Sequence, residues 1–178
     1  MKLFYLGMIC VLTLVSCKQA VEKTTALTVD PPEETSTYYL IRHAEKDRSD
    51  TKNPDPELNE AGIVRAKQWA NYFDTIHLDA IYSTKYKRTQ RTAAPTAKNK
   101  ELEVQIYDAS KLFSESFKAN TQGKSVLVVG HSNTTPHFAN AILGEKRFEN
   151  MNDDDNSSLF VVTVRDDEKS VTVRNVER

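Results

Sequence analysis

The stretch YYLIRHAEK, residues 38–46, decides how the chain is read. Tyr38 to Ile41 are aromatic, branched or aliphatic residues that suit a buried strand. They run without a break into Arg42, His43, Ala44 and Glu45. A chain that leaves a hydrophobic strand this way puts a guanidinium and an imidazole at the strand's carboxyl end. In open α/β sheets that rim is where ligands bind, because the loops converge there and the following helices aim their N-termini at the gap.

Working outward, the same pattern recurs. Ala80 to Tyr82, Val104 to Tyr107 and Val126 to Val129 are further strand candidates. Between them lie helical patterns. In NEAGIVRAKQWANYF, residues 59–73, Ile63, Ala66, Ala70 and Phe73 recur at helical spacing, with Asn59 placed to cap the N-terminus. A second helix is expected over Lys85 to Lys98 with a kink at Pro95, a third over Ser110 to Thr121, and a fourth after His131. SSLFVVTV and SVTVRNV, flanking RDDEK, read as a terminal β-hairpin. Strands alternating with helices predict a three-layer α/β/α sandwich around a mostly parallel sheet, ending in that hairpin.

The 178 residues suffice for one domain with a proper core. Lys plus Arg number 24 against 25 Asp plus Glu, so net charge gives no reason to expect nucleic acid or an anionic membrane surface as a partner. Any anion site must be local. The N-terminal MKLFYLGMICVLTLVSC has a lysine, an apolar run and then Ser16-Cys17, which predicts a signal peptide over 1–16. Leu14 to Cys17 resemble a bacterial lipobox, so Cys17 is the expected lipidation site. Residues 17–36 read as a lipidated tether and 37–178 as the folded domain, held to a membrane of the cell envelope and facing the periplasm or the surface. A plain secretory signal, or an uncleaved anchor, is the alternative. With Cys10 in the signal and Cys17 acylated, the domain has no thiol for a disulfide, a nucleophile or a thiolate metal site.

Three polar clusters follow the candidate strands: Arg42-His43-Ala44-Glu45, then Ser83-Thr84 with Arg88 one turn on, then Gly130-His131-Ser132-Asn133. Two histidines and two arginines are thus expected at one rim. Arginine's planar fork donates paired hydrogen bonds to phosphate oxygens, and a neutral imidazole can attack phosphorus. RHAE, TKYKRTQRTA and VVGHSNT together resemble the three signatures of the histidine phosphatase superfamily, also called phosphoglycerate mutase-like, across about Tyr38 to Val173.

That resemblance implies His43 as the nucleophile that becomes phosphorylated, Arg42 and Arg88 as binders of the phosphoryl oxygens, and His131 as a donor to the same group. Arg88 fits the family spacing to Thr84, Thr92 and Ala93, whereas Arg91 points elsewhere on the helix. Gly62, in LNEAGIVRA, takes a helix-packing role. Glu45 and Asn133 are further expected substrate contacts. The family's usual general-acid motif beyond the third strand is missing. Asp108, at the corresponding strand end, is the expected acid, with Glu45 and then Glu115 behind it.

The expected activity is metal-independent, cofactor-free hydrolysis of a small-molecule phosphate monoester or a phosphoramidate, by a monomer or weak dimer. The small family members resembled here act on protein phosphohistidine, whose leaving group places less demand on an acid. A phosphomutase of the same fold and a noncatalytic lipoprotein that binds a phosphorylated ligand are the alternatives. His77 reads as an incidental loop residue and His137 as a rim candidate; no zinc spacing is present. The acidic cluster NDDD, residues 152–155, reads as a solvated loop without the spacing of a calcium site. The loop 46–57 and the surroundings of Lys111 are where specificity is expected.

Overall fold

A computed structural model describes residues 34–177. The signal peptide, Cys17 and nearly all of the tether expected from the sequence lie outside the described residues. The elements are β1 (Thr35–Arg42), α1 (Glu60–Tyr72), β2 (Ala80–Ser83), α2 (Lys87–Lys100), β3 (Val104–Ile106), α3 (Glu115–Thr121), β4 (Ser125–Gly130), α4 (Thr134–Leu143), β5 (Ser158–Arg165) and β6 (Glu168–Asn175). Among the described residues no helix is long and apolar enough to cross a membrane.

The sheet runs β3-β2-β4-β1-β5-β6. Its first four strands are parallel, and β5 and β6 join antiparallel as the expected hairpin. Strands β2 and β4 are buried almost throughout, because apolar layers cover both faces. On one face Tyr38, Leu40, Val126 and Val128 pack with Phe117 of α3 and with Phe138 and Ile142 of α4. On the other, Ile41, Ile81, Leu127 and Val129 pack with Trp69 of α1, with Phe73 just after it, and with Ala93 and Ala97 of α2. This is the three-layer sandwich expected from the alternation of strand and helix patterns.

Register places the site. Arg42 pairs with Gly130 and Ser83 with Val129, so the loops after β1, β2 and β4 leave the sheet at nearly one level. The main-chain N–H of His43 continues the ladder by donating to Gly130 O at 2.9 Å.

Several boundaries differ from the sequence reading. The third helix starts only at Glu115, because Ser114 caps it and Asp108 accepts from Ser110 N and Oγ in a local turn. Pro95 lies inside a 14-residue α2 that continues to Lys100. Asn59 caps α1 as expected, its Oδ1 accepting from Gly62 N at 2.9 Å. The buried stripe of α1 runs through Gly62, Ala66, Trp69 and Ala70, and Ile63 is half exposed. Gly62 is required by packing: a Cβ there would overlap the main-chain oxygen of Glu45.

Candidate active site

The end of β1 carries Arg42 and His43 inward. Arg42 is 2% exposed and His43 4%. His43 Nδ1 lies 2.7 Å from the carbonyl oxygen of Ala44. A carbonyl only accepts, so Nδ1 carries the proton and the Nε2 lone pair is left unengaged. Two further bonds hold this segment: Ala44 N donates to Thr92 Oγ1 at 2.9 Å, and Asn156 Nδ2 donates to His43 O at 2.8 Å. Thr92 Oγ1 in turn donates to Arg88 O at 2.7 Å, which couples the β1 loop to the first turns of α2.

His131 follows β4. Its ring centroid is 5.4 Å from that of His43, edge to face. Its Nε2 lies 2.9 Å from Thr84 Oγ1, and its Nδ1 is 3.5 Å from Arg88 Nη2. Arginine only donates, so Nδ1 accepts and Nε2–H donates to Thr84. Thr84 Oγ1 meets Thr89 Oγ1 at 2.8 Å, and Thr89 donates to Tyr86 O at 2.8 Å, which closes a hydroxyl chain. Tyr86 stands edge-on to His131, with ring centroids 5.1 Å apart, and lies 4.4 Å under the Arg88 guanidinium.

Both imidazoles are neutral. Burial above all pushes His43 down to about 3, with Arg42, His131 and Arg88 adding to it against the bond to Ala44 O. His131 is pushed down to about 4, again first by burial and then by Arg88 and Arg42. The cations expected to keep His43 unprotonated thus act second to desolvation.

The cleft beside these groups has two lobes. One, of about 910 Å³, is bordered by Glu45, Arg48, Arg65 and Asp154; the other, of about 520 Å³, by Arg88, His131 and Asn133. Arg42, His43, Lys46 and Asp153 border both. The structure therefore brings Arg42, His43, Arg88 and His131 to one space. Three buried guanidinium nitrogens there, Arg42 Nε and Arg88 Nε and Nη1, have no hydrogen-bond partner. Arg88 Nη1 reaches only to 3.5 Å from Asp55 Oδ1. Guanidinium groups with unpartnered nitrogens beside a cleft suit an oxyanion.

Not every expected residue takes part. Asp108 does not line either lobe, although Ala109 and Ser110 do. Its exposed carboxyl is held below the usual range by the side chain and main chain of Ser110, so it is ionised and turned to its own loop. Glu115 is exposed in the first turn of α3 and lines neither lobe. Glu45 does line the cleft, gripped by Arg65 Nε at 2.9 and 3.1 Å. Asn133 borders the smaller lobe at the start of α4 without capping it. His137 is exposed and borders neither lobe, and His77 pairs with Asp79. Arg91 points away, to Glu57. Among the described residues no group of three or more His, Cys, Asp or Glu is placed to hold a metal ion.

The NDDD segment corrects the sequence reading outright, for it is not a merely solvated loop. Arg42 Nη1 donates to Asn152 O at 2.8 Å and Asp155 O at 3.1 Å, and Nη2 pairs with Asp153 Oδ1 at 2.9 Å. Asp153 Oδ2 also meets Arg48 Nη2 at 2.7 Å. Partial desolvation pushes the Asp153 carboxyl up, but the bonds from Arg48 and Arg42 outweigh it and hold the group below its ordinary value. These contacts span 110 to 113 positions along the chain, so no local pattern announces them. Asn156, Thr92 and Tyr86 were likewise not predicted from the sequence to support the site.

Residues 38–109 match the family model described as histidine phosphatase superfamily (branch 1). Phosphoserine phosphatase 1 of Hydrogenobacter thermophilus is 42% identical over 69 residues, which is 36% of this chain and 33% of that protein. The matched segment thus spans about a third of that relative's length. Among solved structures, a candidate phosphohistidine phosphatase SixA from Agrobacterium tumefaciens superposes with a TM-score of 0.56 at 23% identity, over 74% of this chain and 96% of that one. A mycobacterial glucosyl-3-phosphoglycerate phosphatase does so with a TM-score of 0.60 at 13% identity, over 80% and 100%. At these identities the superpositions establish the fold. The branch 1 model thus falls on the segment that carries Arg42, His43 and Arg88, and over those residues the chain is similar to the histidine phosphatase superfamily.

Proposed function

We propose that the protein is a phosphatase that hydrolyses phosphate monoesters or phosphoramidates through a phosphohistidine on His43. The observation that carries this reading is the free Nε2 lone pair of His43, fixed by the bond from Nδ1 to Ala44 O, in a cleft shared with Arg42, Arg88 and His131.

In the first step Nε2 attacks phosphorus, and the bond to the leaving group breaks with its electron pair. The phosphoryl oxygens lie against the guanidinium groups of Arg42 and Arg88, which border the same lobe as His43. These charges are already in position, so little reorganisation opposes the transfer. A phosphoryl dianion beside His131 favours its protonation, and Nδ1 then becomes a second donor to the same group. In the second step water attacks phosphorus, the P–Nε2 bond breaks, and the lone pair returns to His43.

The acid for the leaving group is the weak part of this site. Asp108 is off the cleft, and Glu45 and Asp153 are each gripped by arginine. Leaving groups that need little protonation, such as those of phosphoramidates and aryl phosphates, therefore suit it better than alkoxides. The lipobox-like residues 14–17 support attachment through Cys17 to a membrane of the cell envelope.

The test is turnover of an aryl phosphate by the full chain, with His43→Ala beside it. The expected outcome is a burst of product and acid-labile phosphate labelling, both lost in the variant. Normal activity in His43→Ala overturns the mechanism, and absence of any burst by the native chain favours a binding protein.

A further inference from the structure

Arg42 is divided between two tasks by its own nitrogens. Nη1 and Nη2 are consumed by Asn152 O, Asp155 O and Asp153 Oδ1, and Nε is buried without a hydrogen-bond partner. Arg88 is less committed: its Nε has no partner, and its Nη1 makes no hydrogen bond and stands 3.5 Å from Asp55 Oδ1. Two guanidinium groups, one already largely spent on its own loop, suit a single PO3 group rather than two. Beyond that group the charge is mixed. Asp153 bridges the outer edge of Arg42 to Arg48, and its carboxylate, 69% exposed, stands in the cleft.

Asp153 borders both lobes. Whichever lobe receives the remainder of a substrate, that remainder passes this carboxylate. Lys46 borders the same space, and with Asp153 and Asp154 opposite it and Arg48 the mouth is a mixed field rather than a cationic one.

We propose that Asp153 is a specificity-determining residue that limits the cleft to one terminal phosphoryl group and selects substrates whose remainder carries no second phosphate. This rests on the phosphatase reading above and narrows its substrate class. A second phosphate would meet a fixed negative charge and would find the η nitrogens of Arg42 and Nη2 of Arg48 already engaged. Replacing the carboxylate by the isosteric amide removes the repulsion and releases Arg48, while the main-chain carbonyls on Arg42 stay in place. Repulsion between unit charges at about 4 Å in water corresponds to about fivefold in affinity, and the freed guanidinium adds to it.

The experiment is calorimetric titration of the full chain and of Asp153→Asn and Asp153→Ala with orthophosphate and with pyrophosphate, alongside thermal melts. The expected result is an affinity ratio of pyrophosphate to orthophosphate that rises about five- to thirtyfold in both variants. A ratio unchanged within about twofold, while orthophosphate still binds, overturns this inference and leaves the phosphatase reading intact. Loss of orthophosphate binding in folded Asp153→Asn also overturns it, since Asp153 would then serve to hold Arg42 in place. A native chain that binds neither anion overturns both readings.

Discussion

Replacing Thr92 by valine tests how the two halves of the site are held together. Thr92 is fully buried; its hydroxyl accepts from Ala44 N and donates to Arg88 O. Valine keeps the volume, so no cavity forms and the cost is purely polar. Arg88 O sits one helical turn before Thr92 in α2, so the hydroxyl is a supplementary donor to it. The buried Ala44 N–H has no such second partner, and stranding it costs about 1–3 kcal/mol. For a domain of this size the cost corresponds to a fall in Tm of roughly 3–10 °C. The functional effect should be larger than the thermodynamic one. The carbonyl of the same residue, Ala44 O, fixes the proton on His43 Nδ1, and a misplacement of about 1 Å lowers transfer about a hundredfold. Differential scanning calorimetry and single-turnover phosphorylation read the two effects separately. Thr92→Ser, which keeps the hydroxyl, should recover most of the rate. A Thr92→Val protein that melts within about 1 °C of the native chain and transfers phosphate at the native rate would refute the coupling.

Two further outcomes follow from the charges. Both imidazoles hold out against protonation to about 3 and about 4, whereas in the unfolded chain they take protons near 6.5. Below 6.5 the unfolded state binds more protons, so stability is fully present above that pH and falls as pH drops through the window; for His43 the whole loss is roughly 3–5 kcal/mol. Denaturant melts between pH 6.5 and 4.5, above the carboxylate range, should show the slope in the native chain and a shallower one in His43→Ala, where His131 alone of the two remains; equal slopes would contradict the burial argument. Asp108→Asn should leave turnover within about twofold, because its carboxylate serves an exposed turn, whereas Glu45→Gln leaves the buried Arg65 without its counter-charge and costs about 2–4 kcal/mol by thermal melt. A tenfold loss in Asp108→Asn would restore it as the acid.

Local chemistry announced a large part of this protein. Apolar runs that stop at Arg42, Ser83 and Gly130 mark the carboxyl ends of strands, and the residues just past them meet in the structure because parallel register brings those ends to one level. The cap at Asn59 was legible for the same reason, since it is specified within a few residues, whereas Gly62, which packs on Glu45, was expected only from the family resemblance. The placing of the Asp108 side chain was not legible. Position after a strand put Asp108 at the rim, but its side chain found Ser110 two residues away and turned from the cleft, a choice between local partners that strand position does not encode.

By itself the sequence determined the alternation of strand and helix, and with it the side chains that arrive at the rim, because periodicity and strand ends are local properties. Only the tertiary structure decided what holds and restrains them. The partners of Arg42 lie more than a hundred residues away, on an acidic segment whose composition alone suggests solvent. The dominant cause of the low basicity of His43 is its burial between packed layers, which exists only once the sheet is assembled and covered.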